Sequence, residues 1–208
     1  MRIKTFSQYI NESLIIEKAV SAEEVLANEP NTAIVKVESK KLGKLFMTLI
    51  LFNFKENKVE GLIAAERFTS DEEFMITKAY AVDKHGPLMY ELLLSVVSPR
   101  GIIPNRLIKP KAQSIWEYFD KKRPDVNKTE LNSKHYWFTK EYDIDIEHEH
   151  LTDPEVLKLL NKSYSVTMPI KHTDALLEKG EKLMAEYKLK PADLIKQGEE
   201  DFYKQYNA

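Results

Sequence analysis

The chain has 208 residues, no cysteine, 43% hydrophobic and 31% charged residues, a globular composition that excludes fibrous, low-complexity and wholly disordered classes. Without cysteine there is no disulfide framework, thiolate metal site or cysteine nucleophile. The 31 basic and 33 acidic side chains leave a formal charge of -2, which argues against a generally basic nucleic-acid binder, and no run approaches the roughly 18 apolar residues of a membrane span.

The near balance hides segregation. Between Arg106 and Lys128 lie seven basic and three acidic residues, whereas Glu141 to Glu155 holds seven acidic residues and no lysine or arginine. The basic stretch could grip phosphates, leaving nucleic acid open as a partner, or an acidic protein surface; a solvated helix is the plainer reading.

In chain order, the first segment is MRIKTFSQYINE, with Ile3, Phe6, Ile10 and then Leu14 spaced by three to four residues. This predicts a short amphipathic helix. It lacks the continuous apolar region of a secretion signal. Packing of this helix on the domain accounts for the spacing as well as a targeting role does.

Residues Leu45–Phe54 and Val59–Phe68 are β-rich runs joined by the polar turn Lys55–Lys58, and Phe74–Val82 reads as a third strand. Asp83-Lys84-His85-Gly86-Pro87 then punctuates the chain, and a helical stripe follows at Leu88, Met89, Leu92, Leu93, Val96 and Val97. Pro87 suits a first helical turn, where its missing N–H is not needed. Gly101 and Pro104 close that helix, a short stretch spans Ile102–Ile108, and a second helix runs from Pro110 to Lys122 with Ala112, Ile115, Trp116 and Phe119 on its buried face. His135–Phe138 and Tyr142–Ile146 read as strands.

Leu151–Ala208 forms a helical extension. Asp153-Pro154 opens a helix through Leu160, Thr173–Tyr187 carries an apolar stripe, and Pro191 begins a last helix ending in Phe202, Tyr203 and Tyr206. The expected organisation is an N-terminal helix and linker over residues 1–29, an α+β domain over 30–147, and the extension over 148–208.

Histidines offer few constellations. His148 and His150 alternate with acidic residues, so an extended chain places both on one face, but a metal site needs a third ligand and a solvated acidic strand end explains the pattern. His85, beside Gly86, is a candidate base or a structural turn residue. His135 and His172 stand alone.

The order of hairpin, third strand, glycine turn, helix, short strand, helix and last strands resembles the GNAT acyltransferase fold. The resemblance implies a mixed, mostly antiparallel sheet flanked by helices. The chain of such a protein splays open after the central strand, acyl-CoA lies in the cleft, and the pyrophosphate rests on N–H groups where the next helix starts. Carried onto this sequence, Ala79, Tyr80, Ala81, Val82, Gly86, Leu88 and Arg106 become candidates for binding acetyl-CoA. Gly86 matches the first glycine of the family's phosphate loop; Asp83 stands where glutamine or arginine is usual, and Leu88 where a second small residue is usual. The position often held by a tyrosine acid is Trp116, which leaves Tyr118 or Tyr90 as the candidate donor to the departing thiolate.

A closer resemblance is to phage-encoded GNAT-like proteins of large contractile-tailed bacteriophages. It rests on Gly86, Pro87, Leu88, Met89 and Tyr90; on Gly101, Ile102, Pro104 and Arg106; on Ala112, Ile115 and Trp116; and on Arg123, Asp125 and Val126. Lys109 departs from the hydroxyl residue usual there. The start of the chain, with Lys4, Thr5, Phe6, Tyr9, Ile10, Asn11 and Glu12, is similar to a capsid-targeting peptide that a prohead protease removes after its Glu, here Glu12. Two functions follow as expectations: an N-acyltransferase moving an acetyl group from acetyl-CoA to an amine in the host cytoplasm during infection, or a non-catalytic protein of this fold, packaged in the virion or bound to a phage capsid or host protein.

Overall fold

The computed structural model describes residues 19–68, 73–82, 84–106, 108–135, 137–138 and 153–206. The targeting-like segment with Glu12, the residue Asp83, the strand expected at 142–146, and His148 and His150 lie outside the described residues.

Chain order gives helix α1 (Ala22–Asn28), strands β1 (Thr32–Lys41), β2 (Lys44–Asn53), β3 (Lys58–Phe68) and β4 (Phe74–Ala81), helix α2 (Gly86–Val97) and strand β5 (Ile102–Ile103). Helix α3 (Pro110–Lys122), strand β6 (Asn127–Glu130), helix α4 (Pro154–Leu160), strand β7 (Lys162–Ser165) and helices α5 (Thr173–Tyr187) and α6 (Pro191–Tyr206) complete it. The strands form one seven-stranded sheet in the order β1-β2-β3-β4-β5-β7-β6. Its pairs are antiparallel except β4 with β5, which run parallel. The protein is thus a mixed α+β open sheet. No helix among the described residues is long and apolar enough to cross a membrane.

Strand β2 explains the two-sided core. Its successive residues point to opposite faces, so Leu49 and Leu51 enter one cluster with α2, α3 and α4 while Ile50 and Phe52 enter a second with Leu194 of α6. A strand buried on both faces reads as a continuous apolar run, as LFMTLILFNF does. Strand β1 escaped the sequence reading because only its first half is buried; Glu38–Lys41 are exposed and polar. It joins β2 through Leu42 and Gly43, at φ of 51° and 75°, the left-handed pair that a two-residue hairpin requires.

The segment after residue 148 contributes more than helices. β7 lies between β5 and β6, with Tyr164 opposite both Ile102 and Lys128. Helix α5 runs against the outer strand β1, its Leu176 reaching one cluster and its Leu183 and Met184 the other, so it caps an edge that would otherwise be open to pairing.

One expected strand is corrected. His135, Trp137 and Phe138 lie in a turn: His135 N–H donates to the Asn132 carbonyl, Phe138 N–H donates to that of His135, and the Asn132 side chain accepts from Lys134 N–H at 2.9 Å. An asparagine that satisfies a main-chain donor two residues on mimics a backbone turn, and Trp137 stacks on Phe68 from that position.

Helix α1 is fixed by a capping box: the Ser21 hydroxyl accepts from Glu24 N–H at 3.2 Å while Ser21 N–H donates to the Glu24 carboxylate at 2.8 Å. This cap sets where the helix begins; at the other end Glu29 is the C-cap, its N–H bonded to the Val25 carbonyl. Ser21→Ala is expected to cost about 1 kcal/mol, read as a lower urea midpoint with an unchanged slope.

Candidate functional site

The sheet opens between β4 and β5. Only Phe74 with Ile102 and Met75 with Ile103 are paired. Just beyond, Ala65 faces Ile76 but Ala64 faces Lys78, so Thr77 is an extra residue in β4, and its hydroxyl donates to the Ala64 carbonyl at 3.2 Å. A bulge bends its strand and ends regular pairing. From Thr77 onward β4 is paired, among the described strands, with β3 alone.

Alternation then decides which main-chain groups face the opening. Val82 N–H donates to the Glu60 carbonyl at 2.8 Å, so Val82, Tyr80 and Lys78 turn their peptide groups toward β3, and those of Ala79 and Ala81 face the open side. The four main-chain positions expected to line a cleft therefore divide, with Ala79 and Ala81 presented and Tyr80 and Val82 engaged. Tyr80 instead packs on the opposite face, where burial and, after it, Asp201 push its phenol above the usual range.

Helix α2 begins at the same end of β4. Met89 N–H takes up the His85 carbonyl, leaving Gly86 and Leu88 as first-turn donors without an intrahelical acceptor, while Pro87 has no N–H. A Cβ built on Gly86 meets nothing within 4 Å. Leu88 is buried in the core. Arg106 is exposed beyond the carboxyl end of β5. Because β5 is parallel to β4, it leaves the sheet on the side where the opening widens.

The candidate proton donors separate. Tyr90 is 5% exposed and meets Trp116 edge-on at 5.5 Å; burial pushes its phenol well above the usual range. Trp116 is itself buried, and its ring lies 4.9 Å from that of Tyr164 and 6.0 Å from that of Phe119, so it is an aromatic core residue. Tyr118 is partly exposed, with the Arg123 guanidinium 6.0 Å from its ring.

The basic stretch does not act as one surface. Lys109 and Arg123 flank the thirteen residues of α3, about 20 Å apart at the helical rise. Arg123 is held by Glu91 and by Asp125, 2.8 and 2.7 Å away, and Lys128 donates to its carbonyl at 2.7 Å. Burial outweighs the Arg123 charge and raises the Glu91 carboxyl, while the hydrogen bond from Arg123 holds Asp125 below the usual range.

His135 links Glu73, 3.0 Å from its Nε2, to Trp137 N–H, which donates to its Nδ1; its role is structural. His172, in the left-handed region at the start of α5, lies 3.8 Å from Glu23. His85 is different. It stands beside two carboxylates that sequence spacing did not single out, Glu29 at the end of α1 and Glu60 on β3, with one ligand atom of each of the three within 4.8 Å of the others. No local pattern signals this group, because the β3 register and the α1 cap bring it together.

Fold and opening define a mixed α+β protein with a splayed parallel strand pair followed by a helix N-terminus. Compared with protein-family models, curated proteins and solved structures, the chain finds no match in any of the three.

Proposed function

We propose that the protein is an acyl-CoA-dependent N-acyltransferase of GNAT type, working in the host cytoplasm during phage infection. The observation that carries this reading is the splay after Met75, which leaves the peptide groups of Ala79 and Ala81 facing an opening at the α2 N-terminus. An extended amide-bearing chain such as pantetheine can hydrogen-bond to such an edge as an added strand would. Gly86 and Leu88 N–H then face its phosphates, and Arg106 supplies positive charge from the β5 side.

In the reaction, the acceptor amine attacks the thioester carbonyl carbon. The new C–N bond forms as the C–S bond breaks, the amine releases a proton, and the departing thiolate takes one up. Holding amine and thioester together supplies much of the rate. Of the two candidate donors, Tyr118 is the one that solvent reaches, whereas Tyr90 serves packing.

A second reading has its own support: the Glu29 and Glu60 carboxylates lie at the α2 N-terminus, where they occupy the favourable field that a phosphate would use. In that reading the protein keeps the fold without CoA chemistry and binds a phage capsid or host protein, packaged through the segment ending at Glu12.

Isothermal titration of the full chain with acetyl-CoA, repeated with Gly86→Trp, separates the two. A Cβ at Gly86 meets no atom within 4 Å, so the larger side chain starts out in open space. Micromolar binding, about -8 kcal/mol, abolished by the substitution, is the expected result. No heat at millimolar acetyl-CoA overturns the transferase reading in favour of the second, for which virion mass spectrometry would find a peptide beginning at Ser13.

A further inference from the structure

The group formed by Glu29, Glu60 and His85 is built differently from the protein's structural ion pairs. His85 is 9% exposed, its Nε2 lies 3.4 Å from Glu29 Oε1, and its buried Nδ1 has no hydrogen-bond partner. A structural histidine such as His135 has both nitrogens engaged; His85 does not.

The separation is informative. A charge-assisted N–H···O bond closes to roughly 2.7–2.9 Å, so 3.4 Å is a loose hydrogen bond. It is, however, about the separation of two donors at the corners of a tetrahedron with metal–ligand bonds of about 2.1 Å. Glu60 is held by neutral donors, Thr32 Oγ1 on one oxygen and Asn53 Nδ2 on the other, each at 3.2 Å. Outer hydrogen bonds of this kind aim carboxylate ligands at a metal. Among the described residues, neither carboxylate meets a lysine or arginine within 4.0 Å; the nearby Lys179 amine is bonded to the Glu29 carbonyl instead. Lys179 also acts on Glu29 through its charge, but with no direct lysine or arginine ion pair the two carboxylates keep their oxygens available to a cation.

We infer that Glu29, Glu60 and His85 form a binding site for a divalent transition-metal cation, with one imidazole and two carboxylate ligands and a remaining position open to water or another ligand. One nitrogen and two oxygen donors suit zinc, manganese or cobalt over the all-oxygen sites of calcium and magnesium. The site lies in an open depression that Asn28, Asn31, Lys55 and Glu56 also border, so the ion has a path from solvent. It does not depend on the transferase reading.

The test uses the full chain without an affinity tag, titrated with Zn2+ against a chromophoric chelator and with Co2+ followed by its visible absorption. One equivalent is expected to bind, with a cobalt spectrum typical of low coordination number. Glu29→Gln, Glu60→Gln and His85→Gln each remove a ligand and should weaken Zn2+ binding by more than the roughly 10- to 100-fold that losing an outer hydrogen-bond partner costs, while Glu56→Gln, on the border of the same depression, should leave it unchanged. Circular dichroism checks that each variant folds. If His85→Gln does not, the isosteric Glu60→Gln decides alone. Absence of stoichiometric binding by the native chain overturns the inference, and so does binding that survives these substitutions, which would place the ion elsewhere.

Discussion

Trp116→Ala is expected to destabilise the protein by about 3–5 kcal/mol, the range for deleting a fully buried large aromatic. Trp116 is 1% exposed, and the rings of Tyr90, Phe119 and Tyr164 all face it. Its loss opens a cavity where α2, α3 and β7 meet, and three edge-on or tilted ring contacts disappear with it. At roughly 2–4 °C per kcal/mol for a chain of this size, the melting temperature should fall by about 10 °C. Trp116→Phe keeps a ring in the cluster and should recover more than half of that loss. Equilibrium urea unfolding measures both. A cost below about 1 kcal/mol for the alanine variant would remove Trp116 from the core and reopen the question of why it stands where an acyltransferase acid is expected.

The second large effect concerns a helix that touches a strand through its backbone. A Cβ added at Gly180 would sit 1.9 Å from the Ile34 carbonyl oxygen and 2.8 Å from its carbon. Alanine ordinarily gains about 1 kcal/mol over glycine inside a helix. Here the contact is with main chain that cannot rotate away, so α5 must retreat from β1 and loosen Leu176, Leu183 and Met184 along its length. Overpacking of this kind costs about 1–3 kcal/mol, and the lost contacts add to it. Gly180→Ala should therefore be destabilising by about 2 kcal/mol in spite of its better helix propensity. Hydrogen exchange should show the loss first in the β1 amides and at Lys179, whose amine bonds the Glu29 carbonyl at 2.8 Å. A stabilised variant would mean that α5 does not lie against Ile34.

The same displacement bears on the cation site. Glu29 is the residue where α1 ends, and its carbonyl accepts from both Thr32 N–H and Lys179. Moving α5 removes one of these two supports, so Gly180→Ala should weaken Zn2+ binding as well as folding, and Ser21→Ala, acting from the other end of α1, should do so less.

What could be read along the chain was whatever depends on near neighbours. Strands β2, β3 and β4 and helices α2 to α6 announce themselves by apolar runs, by three-to-four spacing and by prolines at helix starts, because burial on one or both faces imposes those periods locally. The expected α+β class follows from their order. The stretch His135–Phe138 misled because its aromatic residues suit a strand equally well, and the asparagine turn before it won. Tertiary structure alone decided the rest. β1 is half polar, and β6 and β7 are four residues each, too short for a period to show, yet pairing makes them sheet. The opening at Ala79 and Ala81 depends on one extra residue, Thr77, which is visible only against its partner strand. Glu29, Glu60 and His85 meet although Glu29 and His85 are 56 positions apart. Hydrophobic periodicity reports how each segment is buried, but the convergence of side chains distant in sequence is set by which strands pair and in which register.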